Sequence, residues 1–140
     1  MKSVEKLQPV ALLLLRLGLA LVFLYHGAPK LFGDTGKFVA AFESLGLPSY
    51  TVYVVGVVET LGGLLLGLGL YTSIAGVFLL LDMCAAMWKY NFNEGIYAVR
   101  EYELPLVLGL AALAIATTGA GPYSIDRLLR GRKSASQPQA

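Results

Sequence analysis

Three ionisable side chains stand inside long apolar stretches of this chain: Arg16, Glu59 and Asp82. A charged side chain near the centre of a bilayer costs roughly 2.5 to 3.5 kcal/mol on insertion scales, so such residues pair, face a bundle interior or line a wet cavity. Measured along each helix from its inner end, Arg16 lies at roughly 10 Å, Asp82 at roughly 13 Å and Glu59 at roughly 17 Å. The three are therefore expected to meet in one layer. One cation then faces two carboxylates, so one carboxyl can keep its proton, and the layer could handle protons. The competing reading is a buried ion cluster that only fixes helix order.

A second set lies nearer the other end. Arg16, Phe23, His26 or Gly27, and Lys30 share one helical face; Asp82, Ala86 and Lys89 share another. Glu101 and Glu103 open the last apolar stretch. His26, Lys30, Lys89 and Glu103 are expected to surround an outer pocket suited to an anion or a quinone carbonyl. Snorkelling of the lysines to lipid headgroups is the alternative. His26, the single histidine, reads as a hydrogen-bonding residue rather than a metal ligand.

Other chemistry lacks its residues. Cys84 is the one cysteine, so thiol–disulfide exchange within the chain is not expected, and Cys84 reads as a buried small apolar residue. One histidine cannot supply two axial haem ligands, and no zinc or iron–sulfur spacing is present. No glycine-rich nucleotide loop follows a strand. With no haem, flavin or metal motif, any redox chemistry must use a lipid-soluble carrier such as a quinone, or a partner subunit.

The elements that must position these groups follow from composition. The chain has 140 residues, 56% apolar and only 14% charged, against about 25% charged in a soluble domain. Disorder of the body is excluded by this hydrophobicity, and a net charge of +2 gives no reason to expect nucleic-acid binding. Apolar spans fall at about 10–32, 49–70, 73–90 and 102–120, long enough for a ~30 Å hydrocarbon core. Tyrosines and Trp88 cluster near their ends, as interfacial aromatics do. The fold is expected to be all-α, an integral membrane four-helix bundle in one domain over 1–133, with a disordered tail at 134–140. Between spans one and two, Phe38, Ala41, Phe42 and Leu45 repeat at helical spacing, which predicts a short interfacial helix. Asn91 to Glu101 reads as a polar loop able to form a lid. Gly56, Gly63 and Gly67 form a stripe that lets the second span pack closely. After Pro122, Ser124 can cap a short turn carrying Asp126, Arg127 and Arg130.

Orientation follows from the basic residues. Lys2, Lys6, Arg127, Arg130, Arg132 and Lys133 stand on the side of the termini, against Lys30, Lys37, Lys89 and Arg100 on the other. The excess places both termini in the cytoplasm. The first span, with Arg16 inside it, does not read as a cleaved signal peptide.

In order along the chain, Arg16-Leu17-Gly18, Tyr25-His26-Gly27, Lys30-Leu31-Phe32-Gly33, Glu59 with Gly62-Gly63 and Leu66-Gly67, Tyr102-Glu103-Leu104-Pro105, and Gly119-Ala120-Gly121-Pro122-Tyr123-Ser124-Ile125-Asp126 make a set that resembles the DoxX family of small four-span membrane proteins. Arg16, His26, Lys30, Glu59, Glu103 and Asp126 match the family pattern; Asp82 is not part of it. The resemblance implies a four-helix bundle in a bacterial inner membrane. It also implies several kinds of activity. Some members are described as oxidoreductases or look like subunits of thiosulfate:quinone oxidoreductase, others are linked to resistance to oxidants or quinones, and distant animal relatives act as receptor-assembly chaperones.

The expectation that unites these readings is a quinone-linked redox subunit, beside a partner redox enzyme in the bilayer and able to pair with itself. Arg16, Glu59 and Asp82 would handle protons; His26, Lys30, Lys89 and Glu103 would hold the ligand. The alternatives are a non-catalytic assembly factor or scaffold, and a small proton-coupled carrier. The carrier lacks an inverted repeat or broken helix in the sequence.

Overall fold

A computed structural model describes residues 2–94 and 99–135, with the side chains at 2–3, 90–94, 99, 101 and 133–135 not described. Every regular element among them is helical: α1 (Lys2–Glu5), α2 (Gln8–Phe32), α3 (Thr35–Ser44), α4 (Thr51–Leu68), α5 (Thr72–Glu94), α6 (Val99–Thr118) and α7 (Ile125–Ala135). Gln8–Phe32, Thr51–Leu68 and Thr72–Lys89 are long and apolar enough to cross a membrane, and Tyr102–Thr118 is a shorter apolar helix. Their outward faces carry Leu14, Leu21, Val54, Phe78 and Val107, all exposed. Rows of exposed large apolar side chains suit hydrocarbon rather than water.

The helix ends are written in the sequence. A proline opens α2 in its first turn, where the missing N–H is not needed. Gly69, at φ 68°, closes α4; its N–H donates to the Leu66 carbonyl at 3.1 Å, and that of Leu70 to the Leu65 carbonyl at 3.0 Å. This pairing needs a left-handed residue just past the helix, which glycine adopts without a Cβ penalty. The α4–α5 link is three residues long and includes Tyr71, also left-handed at φ 47°.

The four long helices run alternately up and down. α2 and α4 make one tightly packed pair and α5 and α6 another; α4 and α5 join the pairs, while α2 and α6 touch least of the four adjacent pairs. Glycines set the close approaches. A Cβ at Gly63 would lie 3.1 Å from the Phe23 Cβ, one at Gly62 2.8 Å from the Leu79 Cγ, and one at Gly76 2.9 Å from the Ala112 carbonyl oxygen. Leu19, Phe23, Leu66, Leu79, Met83, Ala112 and Ile115 form the core.

Several boundaries differ from the sequence reading. α5 continues through Glu94 and α6 begins at Val99, so most of the expected polar lid at 91–101 is helix and its middle, 95–98, lies outside the described residues. A helix already nucleated extends by one hydrogen bond per residue, even into polar sequence. The turn after Pro122 is the full helix α7, with the Arg127 N–H on the Ser124 hydroxyl at 3.3 Å. It takes in the first residues of the expected tail; 136–140 lie outside the described residues. Cys84 is exposed rather than buried, on the face of α5 that also exposes Leu81 and Trp88.

Candidate functional site

The site begins where α2 crosses α4. A Cβ at Gly27 would stand 2.7 Å from the Glu59 Cβ and from the Thr60 nitrogen, and one at Gly56 3.1 Å from the Lys30 Cβ. Each helix thus presents a glycine one turn from its own ion partner, and the backbones close to a distance at which Lys30 and Glu59 pair directly. Lys30 is 7% exposed and Glu59 5%. A buried pair must repay the desolvation of both ions, which needs further hydrogen bonds. Lys30 has one: its ammonium also donates to the His26 carbonyl at 3.0 Å. It also lies 5.9 Å from the centroid of the Phe38 ring, a favourable cation–π arrangement.

This pair forms part of the wall of a cavity of about 940 Å³ between the ends of the four long helices, covered by α3. Phe38, Ala41 and Phe42 line it from α3 and Leu45 from just past its end, so the apolar stripe expected to lie on the membrane interface turns toward the pocket. Asp82 lines it from α5. The Asp82 Oδ2 is buried without a hydrogen-bond partner, as is the Thr60 hydroxyl. An unpartnered buried polar atom costs about 1 to 3 kcal/mol, so a ligand supplying the missing partner gains that much. His26 and Lys89 also border the pocket; His26 is exposed and Lys89 half-buried. The His26 Nδ1 lies 2.9 Å from the Val22 carbonyl oxygen, so Nδ1 is the donor and Nε2 the remaining ring nitrogen.

The two clusters expected from the sequence are therefore regrouped. Glu59 and Asp82 join His26, Lys30 and Lys89 around one pocket, while Arg16 and Glu103 do not line it. Glu103 is exposed. Arg100 and Trp88, which the sequence offered only as a loop cation and an interface aromatic, do line the pocket.

Arg16 stands at the opposite end, 2% exposed. Its guanidinium donates to the carbonyls of Leu66 at 2.7 Å, Tyr123 at 2.9 Å and Gly67 at 3.4 Å, and to that of Ala120. The expected layer of Arg16, Glu59 and Asp82 does not form. Equal depths would put these residues in one layer only if the inner ends of the helices were level, yet a Cβ on Gly69, just past the end of α4, would lie 2.9 Å from the Arg16 Cζ. Arg16 is thus level with Gly69, whereas Glu59 is level with Gly27, about 16 Å further along α2. Arg16 instead binds the carbonyl end of α4, where a cation complements the helix dipole.

Asp126 completes this end. Its carboxylate accepts from the Tyr71 N–H at 2.8 Å, the Thr72 N–H at 3.0 Å and the Thr72 hydroxyl at 2.9 Å, and so caps α5. Partial burial acts to raise the Asp126 pKa, but those hydrogen bonds and the nearby Arg130 outweigh it and hold the carboxyl below its usual range.

The DoxX family matches over residues 11–91. The protein named "Putative oxidoreductase CatD" from Bacillus subtilis (strain 168) is 30% identical over 128 residues, covering 91% of this chain and 93% of that protein. Inner membrane protein YqjF of Escherichia coli (strain K12) is 31% identical over 127 residues, covering 89% and 96%. An uncharacterized membrane protein of Mycobacterium tuberculosis (strain ATCC 25618 / H37Rv) is 32% identical over 142 residues, covering 91% and 86%. No solved structure matches the chain significantly.

Proposed function

The chain belongs to the DoxX family of membrane proteins, and from that premise we propose that it is a quinone-linked redox subunit whose pocket holds the quinone head. The unpartnered Asp82 Oδ2 in an otherwise mainly apolar cavity carries this reading. A quinone head is a flat apolar ring with polar oxygens on opposite edges. It fits a cavity with apolar walls and a few convergent polar groups.

Asp82 donates a proton or a hydrogen bond to one ring oxygen through Oδ2. Lys30 orients the ring and keeps Glu59 in place; Glu59 is the second proton-handling carboxyl. His26 and Lys89 bind at the rim. Reduction of a quinone to a quinol takes up two electrons and two protons. The electrons come from a partner redox subunit, and the protons pass through Asp82 and Glu59. α3 limits the access of water. Arg16 and Glu103 stand away from the pocket and take no part at the head group. We read both termini as cytoplasmic from the basic residues at their end of the bundle, so that on this reading the pocket lies toward the outer leaflet of a bacterial inner membrane.

The test is extraction of the purified protein's lipids and a search by mass spectrometry for stoichiometric quinone. Asp82→Leu removes the hydrogen-bonding group at nearly unchanged volume, and because Oδ2 has no protein partner the fold should tolerate it. Quinone present in wild type and lost in Asp82→Leu supports the reading. No quinone in folded wild type rejects it in favour of a non-catalytic assembly factor.

A further inference from the structure

The seams between the long helices are not equal. α2 and α4 are zipped by Gly27, Gly56 and Gly63, whose missing Cβ atoms would lie within 3.1 Å of atoms across the seam. α4 and α5 are zipped by Gly62 against Leu79, and α5 and α6 by Gly76 against Ala112 and Ala116 and by Gly109 against the Met83 Cβ at 3.3 Å. The fourth seam, between α2 and α6, has no such glycine in its membrane-spanning part, and these two helices touch least of the four neighbouring pairs.

The pocket borders this loose seam. Phe23, His26 and Lys30 line it from α2, and Arg100, Leu104, Pro105 and Leu108 from α6. His26 and Leu104 are both pocket-lining and exposed, so they belong to the inner wall and the outer surface at once. That surface is apolar around them: Leu21, Tyr25, Leu106 and Val107 are exposed, and the rings of Tyr25 and His26 stack edge-on at 5.4 Å. Below the pocket the bundle is closed by Phe23, Leu79, Met83, Leu108 and Ile115, and above it stands α3.

We propose that the pocket is loaded sideways from the hydrocarbon through the seam between α2 and α6. Its ligand is then a head-and-tail molecule whose head reaches Asp82 and whose isoprenoid or alkyl tail leaves between His26 and Leu104. This rests on the quinone reading and deepens it. A cavity of about 940 Å³ is near the upper end for enclosing a drug-sized ligand, so a long tail must leave it. The glycine-zipped seams cannot open without breaking close packing. The α2–α6 seam has no such close glycine approach to break. His26 stands at the threshold, where Nε2 can accept a hydrogen bond from a passing hydroxyl.

The experiment uses the wild-type protein in lipid nanodiscs and a benzoquinone probe carrying a diazirine on the second isoprene unit of its tail. After illumination, adducts are mapped by peptide mass spectrometry with and without excess unlabelled quinone. The expected result is adducts on Val22, His26, Leu104 or Val107 that fall at least fivefold under competition. Competed adducts confined to Phe38, Phe42 or Leu45 would overturn the lateral portal, because the tail would leave under α3, while leaving quinone binding intact. Absence of any competed adduct would overturn the quinone reading and the portal with it.

Discussion

Replacing Lys30 by Met should be the most damaging single change at the pocket, and replacing Glu59 at the same time should undo most of the damage. The Lys30 and Glu59 side chains are 9% and 7% exposed, so either ion left alone would sit in a low-dielectric wall. Stranding one partner of a buried pair costs about 3 to 5 kcal/mol. Lys30→Met strands the Glu59 carboxylate and should cost in that range. Glu59→Gln strands the Lys30 ammonium but is milder, toward the lower end of that range at about 3 kcal/mol, because the amide oxygen can still accept from Lys30 and the His26 carbonyl remains. The pair Lys30→Met with Glu59→Gln leaves no buried charge and should fall within about 2 kcal/mol of wild type. A change of 1 kcal/mol moves the midpoint of a chain this size by about 3 to 5 °C. Thermal unfolding in a mild detergent should therefore show Lys30→Met lower by about 10 to 20 °C and the double variant recovering most of that loss. A double variant whose loss is the simple sum of the singles would falsify the account, because coupled neighbours must deviate from additivity.

Gly69→Ala places a Cβ 2.7 Å from that of Ser124 and 2.9 Å from the Arg16 guanidinium, at φ +68°. It should cost about 1 to 3 kcal/mol, read as a lower midpoint in the same assay. Asp126 is held below its ordinary pKa, so its contribution to stability is complete above the unfolded value of about 3.9 and is lost as the pH falls through the folded value. Wild type and Asp126→Asn should differ in midpoint by a constant amount at pH 6 and above and converge in strong acid; a gap that widens on acidification would contradict the sign. A fluorescent protein fused after Ala140 should fold and glow if the termini are cytoplasmic, whereas an active periplasmic phosphatase at the same place would reverse the orientation.

Much of the bundle was legible because the solvent argument is strong. Long apolar stretches broken by Gly33, Gly69 and Gly119 leave few other folds, and the stripe of Gly56 and Gly63 does mark the tight face of α4. The ion pair was harder to read. Lys30 and Glu59 were both singled out, but for different clusters, because a sequence gives distance along each helix and not the offset between helices. The observed ends of α2 at Gln8 and of α4 at Leu68 would still set Arg16 and Glu59 at nearly equal depth; only the lengthwise offset of the two helices, which brings Arg16 to Gly69 and Glu59 to Gly27, separates them. The direction of α3 was illegible for a related reason. An apolar stripe of Phe38, Phe42 and Leu45 satisfies a lipid interface and a pocket roof equally well, and only the neighbouring helices decide. Trp88 and Arg100 carried no periodic signal that set them apart from ordinary residues near a span end.

The ring of carbonyls around Arg16 has a consequence for the protein's birth. Its acceptors lie 50 and 104 residues downstream, at Leu66 and Ala120, and Tyr123 follows. At a synthesis rate of about 5 to 20 residues per second, the arginine waits roughly 5 to 20 s for Ala120 to be made. For the later part of that interval the carbonyls of Leu66 and Gly67 already accept from it, and the segment that follows α6 supplies the other two. A chain that stops short of Ala120 therefore keeps the acceptors at Leu66 and Gly67 but lacks those at Ala120 and Tyr123, so the last quarter of the sequence completes the coordination of a residue near its beginning.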